Sequence, residues 1–191
     1  KIHARLNLRR KERREFGRGS LSQLFFMFWR ICRLQQTPQD LPASQFLVIL
    51  TLLGYTFVGF LSAVFRFSLG EAFVVTLIDA TLLAFLSYIA LWIRLLTDRW
   101  YQAVTALAGT GIIMGLISLP IGLWLNTADS NTQMAFMPSM FLVAIMVWNL
   151  IIVAHVLRHA MSVHILLGGV FAGFYMYIVI RIMSILFAAS N

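Results

Sequence analysis

The chain has 191 residues, of which 60% are hydrophobic and only 12% are charged, and its formal net charge is +8. Soluble domains carry about 25% charged residues, so this composition excludes an ordinary water-soluble globule and indicates a protein that folds in a lipid bilayer. Because a helical span needs about 20 apolar residues, about five spans use up most of the chain and leave no length for a soluble catalytic domain.

Positive charge is concentrated before residue 34, where most of the Lys and Arg residues lie and where only Glu12 and Glu15 oppose them. Residues 1–20 are therefore predicted to be a basic cytoplasmic segment that lies against anionic lipid headgroups. A nucleic-acid surface is the alternative, but the sequence contains no base-reading module, so we expect no nucleic-acid partner. The predicted membrane-surface patch consists of Arg9, Arg10, Lys11, Arg13 and Arg14.

Residues 21–44 are predicted to form a short amphipathic helix followed by a linker that contains Pro38 and Pro42, both of which disfavour helix. This helix is too short and too charged to cross a bilayer. We expect it to lie in the membrane interface, or to pack against the cytoplasmic end of a helical bundle. Its apolar face at helical spacing consists of Leu21, Leu24, Phe25, Phe28 and Cys32.

The remaining chain, residues 45–187, is predicted to be an all-α bundle of about five transmembrane helices. Five apolar runs are long enough to cross the bilayer, and they lack the period-two alternation of a membrane barrel. They cover Gln45–Phe65, Glu71–Leu96, Tyr101–Leu125, Met134–Leu157 and Val163–Phe187.

The connections between these runs predict the orientation of the bundle. Arg94, Arg99 and Arg158 lie near the second and fourth connections, whereas the third, residues 126–133, has no basic residue. The positive-inside rule therefore places the amino terminus inside the cell and the carboxy terminus outside. The expected location is a bacterial inner membrane, which the chain crosses several times.

Asp79 and Arg181 are charged residues inside predicted spans, where an unpaired charge costs about 2.5–3.5 kcal/mol. Counted at helical rise, both lie at similar depth in the outer leaflet, so we expect an ion pair that joins the second and fifth spans. A link to another subunit and a proton or solute pathway are the two alternatives.

Three histidines, His155, His159 and His164, are expected to cluster at the cytoplasmic face. Two histidines four residues apart on one helix can bind a metal, and histidines in spans can bind haem. No HExxH motif or nearby carboxylate supports a metal site, so we expect interfacial histidines and no cofactor. A contact with a partner protein is the other alternative.

Glycines four residues apart mark two predicted packing faces, Gly111 with Gly115 and Gly169 with Gly173. Such pairs let two helix backbones approach closely, either within one chain or between chains. The sequence therefore predicts helix packing inside the bundle, or docking of a second copy or another membrane subunit, at these positions.

Three runs of the chain form a recognisable pattern: WNLIIVAHVLR at residues 148–158, Val163–Gly173, and YQAVTALA from Tyr101 onwards to Pro120. In this pattern the chain resembles the Yip family of five-span membrane proteins. The resemblance implies a helical bundle with a cytoplasmic amino terminus. Eukaryotic members are associated with Rab GTPases, but their tyrosine-and-glycine motif is missing here, so Rab binding is not implied. The family offers no catalytic residue.

No phosphate loop, nucleophile elbow, kinase signature or pair of catalytic carboxylates is present. We therefore expect a non-enzymatic membrane protein that acts as a structural or interaction subunit of a membrane assembly. A small transporter or channel component is the first alternative, and a haem-binding electron-transfer subunit is the second.

Overall fold

The computed structural model describes residues 22–128 and 135–188, with side chains except at 165, 183 and 185–188. These residues form a bundle of six α-helices, with short 3-10 helices at Pro38–Asp40 and Thr97–Arg99, and contain no strand. The helices are α1 (residues 22–32), α2 (Gln45–Ala63), α3 (Leu69–Ile93), α4 (Trp100–Thr127), α5 (Phe136–Met161) and α6 (Ile165–Ala188).

Four of these helices, α2 to α5, are long and apolar enough to cross a membrane. The last helix, α6, contributes a shorter apolar stretch, Leu166–Ile182. A helical bundle in a multi-pass membrane protein is therefore confirmed. Consecutive helices α2 to α6 run up and down, so the bundle has an α1 end, at Leu41 and Ser162, and an opposite end, at the α2–α3 loop.

Local sequence signals determine where the helices begin and end. Ser68 caps α3, because its hydroxyl oxygen accepts the Glu71 N–H at 3.4 Å while the Glu71 carboxylate accepts the Ser68 N–H at 3.0 Å. The helix α5 ends at Met161, because the next residue, Ser162, has a positive φ of 53° that stops the helical pattern. The observed bounds of α2 to α6 differ from the predicted runs by only a few residues.

The helix α4 forms the axis of the bundle. Half of its most apolar window is buried, compared with 17% for α5, although both helices are apolar enough to span. Every residue from Ala103 to Thr110 is buried, and most of them are small. Small side chains allow α2 and α5 to pack closely on either side of α4.

The helix α1 packs into the bundle with one face and leaves the other face exposed. Phe28, Ile31 and Cys32 are buried, whereas Phe25 and Phe26 are 53% and 61% exposed. The predicted apolar face was therefore partly wrong, because Phe25 lies at its edge and the buried face turns toward Ile31. Of the two expectations for this helix, packing against the bundle agrees with the burial of this face.

The linker after α1 is held by side chains of α4 and α5. The Gln102 amide donates to the Leu41 carbonyl at 2.8 Å, and the Gln39 amide donates to the His159 carbonyl at 3.0 Å. The Trp148 indole donates to the Cys32 carbonyl at 3.1 Å. These bonds attach the linker to α4 and α5 and pair backbone carbonyls along it, so the linker follows a fixed path along the bundle.

Candidate functional site

The charged residue Asp79 lies on α3, ten residues after the helix begins at Leu69 and therefore about 15 Å along its axis. The Tyr55 hydroxyl from α2 donates to Asp79 Oδ2 at 2.6 Å. A bond this short is typical of a hydroxyl that donates to a carboxylate. Among the described residues, Asp79 Oδ1 has no hydrogen-bond donor.

A second tyrosine joins this pair from the last helix. Tyr175 of α6 lies close to Tyr55 and to the Asp79 carboxylate, and it lines the same cavity as Tyr55. We refer to Asp79, Tyr55 and Tyr175 as the Asp79 cluster. It joins α2, α3 and α6 through polar groups inside a bundle whose other contacts are mostly apolar.

Sequence reasoning missed both tyrosines. A signal was available, because a tyrosine in the middle of an apolar span needs a partner for its hydroxyl group. Tyr55 lies ten residues after the start of α2 at Gln45, at the depth where Asp79 also lies.

Glycines of α4 make room for the Asp79 cluster. A Cβ atom on Gly111 would lie 2.5 Å from Cε2 of Tyr55, and one on Gly115 would lie 2.6 Å from Cγ1 of Val58. The predicted close approach at these two glycines therefore occurs between α4 and α2 of the same chain. Gly111 is the residue that allows the Tyr55 ring to reach Asp79.

Two cavities lie on the two sides of the Asp79–Tyr55 bond. The loop-side cavity, about 330 Å³, extends from Asp79 to the opposite end of the bundle, where Arg66 and Asn126 line it. The core cavity, about 110 Å³, is lined by Tyr55, Tyr175 and mostly apolar side chains. Both are larger than the roughly 10–15 Å³ that one water molecule requires. Asp79 faces the first cavity and Tyr55 faces the second.

The structure does not bring Asp79 and Arg181 together. Both residues are described, no ion pair joins them, and Arg181 is exposed on α6. The reason is the rotation of α6: Tyr175 faces the interior, and Arg181, six residues later, is turned by about 120° around the helix axis. Depth could be counted from the sequence, but the direction of each side chain around its helix could not.

The helix α6 packs on α5 through a different pair of small residues from the predicted one. A Cβ atom on Gly168 would lie 2.8 Å from the Ala154 carbonyl oxygen, and Ala172 is buried. A Cβ atom on Gly169 or Gly173 would have nothing within 4 Å. These two glycines therefore lie on the outward side of α6.

A continuous exposed row follows from these two glycines. Gly169, Gly173, Tyr177 and Arg181 recur every four residues, and all four are exposed. We call this row the α6 ridge. It combines small residues, an aromatic ring and a cation that has no ion-pair partner among the described residues.

The three histidines lie at the α1 end of the bundle. The rings of His155 and His159 are 4.5 Å apart, and His155 Nε2 lies 3.1 Å from the Gln36 carbonyl oxygen. His164 Nδ1 accepts the Leu166 N–H at 3.5 Å. In the described part of the chain, no three His, Cys, Asp or Glu residues form a group that could hold a metal ion.

Cys32 is the last residue of α1, at the same end of the bundle, and its side chain is buried. Burial raises the pKa of its thiol to about 11, so the group is protonated at neutral pH. The predicted basic patch, Arg9, Arg10, Lys11, Arg13 and Arg14, lies outside the described residues.

Comparison of the chain with protein-family models, with curated proteins and with solved structures finds no match. The resemblance to the Yip family stays a prediction. The function must therefore be inferred from the chemistry of the chain's own residues.

Proposed function

We propose that this protein is a non-enzymatic accessory subunit of a membrane assembly, and that the α6 ridge docks against a transmembrane helix of another protein. The observation that carries the proposal is the exposed Arg181, which has no ion-pair partner in the described part of its own chain. The other features of the ridge support the same conclusion.

The charge of Arg181 favours a partner with a carboxylate. An arginine on the lipid-facing side of a span costs about 2.5–3.5 kcal/mol on insertion scales, unless it reaches water or an opposite charge. A carboxylate on a neighbouring helix at the same depth would offset this cost. The partner is therefore a helix that carries Asp or Glu within its span.

The glycines favour close contact at the other end of the ridge. Gly169 and Gly173 have open space in front of them, so the backbone of a second helix can approach α6 without displacing any side chain. Close approach of this kind stabilises helix pairs in lipid through dispersion and weak hydrogen bonds.

A second copy of this chain fits the ridge less well than a different protein. In a symmetric parallel pair, each residue meets its own equivalent. Two Arg181 side chains would then face each other in a medium of low dielectric constant, which is unfavourable. We therefore infer a partner of different sequence.

The proposed topology has five spans, α2 to α6, with the amino terminus in the cytoplasm of a bacterium and the carboxy terminus outside. The basic residues before residue 34 and the basic second and fourth connections support this orientation. The fifth span rests on α6, whose 24 residues extend to about 36 Å at helical rise.

Photo-crosslinking tests the docking face. A photo-reactive amino acid at Tyr177 should give one adduct with a protein, whereas the same amino acid at Phe73, a similarly exposed position on α3, should give only lipid adducts. Mass spectrometry of the adduct should identify a partner span that contains Asp or Glu.

A charge exchange completes the test. Arg181→Glu should abolish the adduct at Tyr177, and replacement of the partner's acidic residue by arginine should restore it. Lipid adducts alone at Tyr177, self-crosslinks, or the absence of rescue would each contradict the proposal.

A further inference from the structure

We propose that Asp79 is a reversible proton-binding site that exchanges protons with water through the loop-side cavity. The proposal is independent of the docking role of α6. Asp79 lies on the inward side of α6, away from the α6 ridge, and proton binding needs no partner protein. It rests on the geometry of the carboxylate and of the cavity in front of it.

The two oxygens of the carboxylate have different surroundings. Oδ2 accepts the Tyr55 hydroxyl at 2.6 Å, and Oδ1 has no donor among the described residues. Asp79 lines the loop-side cavity, which is large enough for several water molecules. Oδ1 is therefore the atom that can receive a proton from water while Tyr55 continues to hold Oδ2.

The cavity connects Asp79 to the surface of the protein. Arg66 in the α2–α3 loop and Asn126 near the end of α4 line the same cavity, and both are exposed. Ser62 and Ser118 contribute hydroxyl groups along its walls. Water can therefore form a hydrogen-bonded path from the end of the bundle to the carboxylate.

Among the described residues, no charged or titratable group forms an ion pair with Asp79. Tyr55 of α2 donates a hydrogen bond to it, Tyr175 of α6 lies close to it, and Arg66 lines the cavity without forming an ion pair with Asp79. The cavity walls from α4 and α5 contribute Ser118, Asn126 and apolar residues, none of which titrates. On α3 itself, Glu71 is bound to Ser68 at the helix end.

A proton fits this site better than a metal cation. Mg²⁺ requires six oxygen ligands in near-octahedral geometry, and Ca²⁺ requires six to eight. The cavity offers one carboxylate, and the Ser62 and Ser118 hydroxyls donate to carbonyls of their own helices. A proton needs only the single free oxygen, Oδ1.

Protonation would change the boundary between the two cavities. The ionised carboxylate is a strong acceptor for the Tyr55 hydroxyl, and a protonated carboxyl group is a weaker one. Because Tyr55 also lines the core cavity, the strength of this bond determines how firmly α2 and α3 are joined where the two cavities meet.

The site can be tested with dicyclohexylcarbodiimide in membranes that contain the full chain. This apolar reagent takes the proton of a carboxyl group on one nitrogen, and the carboxylate oxygen bonds to its central carbon. The product rearranges to a stable acylurea, and nothing is oxidised or reduced. Labelling of the peptide that contains Asp79 therefore reports the protonated fraction at each pH.

We expect Asp79 to be labelled at acidic pH and to lose about tenfold of its labelling per pH unit above its midpoint. Tyr55→Phe should move this midpoint to higher pH, because it removes the bond that favours the ionised form. Glu71 serves as an exposed carboxylate control on the same helix, and Asp79→Asn confirms the labelled residue. No labelling of Asp79 at any pH, or labelling that does not change with pH, would overturn the proposal.

A second arm tests the route of the proton. In sealed vesicles of uniform orientation, the pH is changed on one side only. Labelling of Asp79 should follow the pH on the side of the α2–α3 loop and should ignore the pH on the α1 side. Labelling that follows the α1 side would show that the loop-side cavity is not the path.

Discussion

The hydroxyl group of Tyr55 donates to the carboxylate of Asp79 at 2.6 Å, and this single bond joins two apolar helices within the bundle. A hydrogen bond to a charged group contributes about 1.5–3 kcal/mol to stability. The bond therefore has a structural role whether or not Asp79 also exchanges protons.

Tyr55→Phe should lower the free energy of unfolding by about 1.5–3 kcal/mol, because Asp79 loses its donor while the ring remains in place. Tyr177→Phe is the matched control, since Tyr177 is 59% exposed on α6. Unfolding in mixed detergent micelles measures both variants. Equal stability of the two variants would contradict the structural role of the bond.

The pair that couples energetically should be Asp79 with Tyr55, not Asp79 with Arg181. A double-mutant cycle for contacting residues gives about 0.5–3 kcal/mol, and a cycle for residues that share no contact gives less than about 0.5 kcal/mol. Cycles built from Asp79→Asn, Tyr55→Phe and Arg181→Leu measure the coupling energy of each pair and so distinguish the two pairs. A large coupling between Asp79 and Arg181 would restore the ion pair expected from the sequence.

Gly111→Ala should destabilise the bundle by about 1–3 kcal/mol, because the new Cβ atom would lie 2.5 Å from the Tyr55 ring. Gly122→Ala on the same helix is the control. A Cβ atom there would have nothing within 4 Å, and alanine favours helix by up to about 1 kcal/mol over glycine. If both variants lose the same stability, contact with Tyr55 is not the cause.

Cys32 should react slowly with maleimide at neutral pH and faster as the pH approaches about 11, where burial places the pKa of its thiol. Compared with an ordinary value of 9.0, this shift lowers the thiolate fraction near pH 8 by about 100-fold. Because Cys32 is the only cysteine in the chain, the rate is read directly. Detergent-unfolded protein, which exposes the thiol, provides the reference rate.

Trp148→Phe should increase the maleimide rate of Cys32, because the indole no longer holds the Cys32 carbonyl at 3.1 Å and α1 can move away from α5. The same substitution at Trp92, which is 60% exposed, should leave the rate unchanged. An unchanged rate in Trp148→Phe would mean that apolar contacts of Phe28 and Ile31 alone hold α1.

The sequence predicted the bounds of the helices well, but it predicted poorly how each helix is rotated about its own axis. Apolar runs are local signals, so the bounds of α2 to α6 could be predicted within a few residues. The face that each helix turns inward depends on which neighbour it packs against. In spans that are apolar on every side, periodicity carries little information about this face.

The residues of the candidate site were likewise predicted only in part. Asp79 was identified because a carboxylate in a span is costly, and Gly111 because glycine spacing marks close packing. Their common neighbour Tyr55 was missed, because its role depends on the contact between α2, α3 and α4. The direction of Arg181 likewise depends on how α6 rests on α5 through Gly168.

The linker between α1 and α2 has a mechanical consequence. Its carbonyl groups are hydrogen-bonded to Gln102 on α4 and to His155 on α5. The carbonyl of Cys32, the last residue of α1, accepts a hydrogen bond from Trp148. A flexible linker would absorb a pulling force, but this linker is anchored at several points along its length. A force applied to the chain ahead of residue 22 is therefore transmitted directly to α4, the axis of the bundle, and to α5.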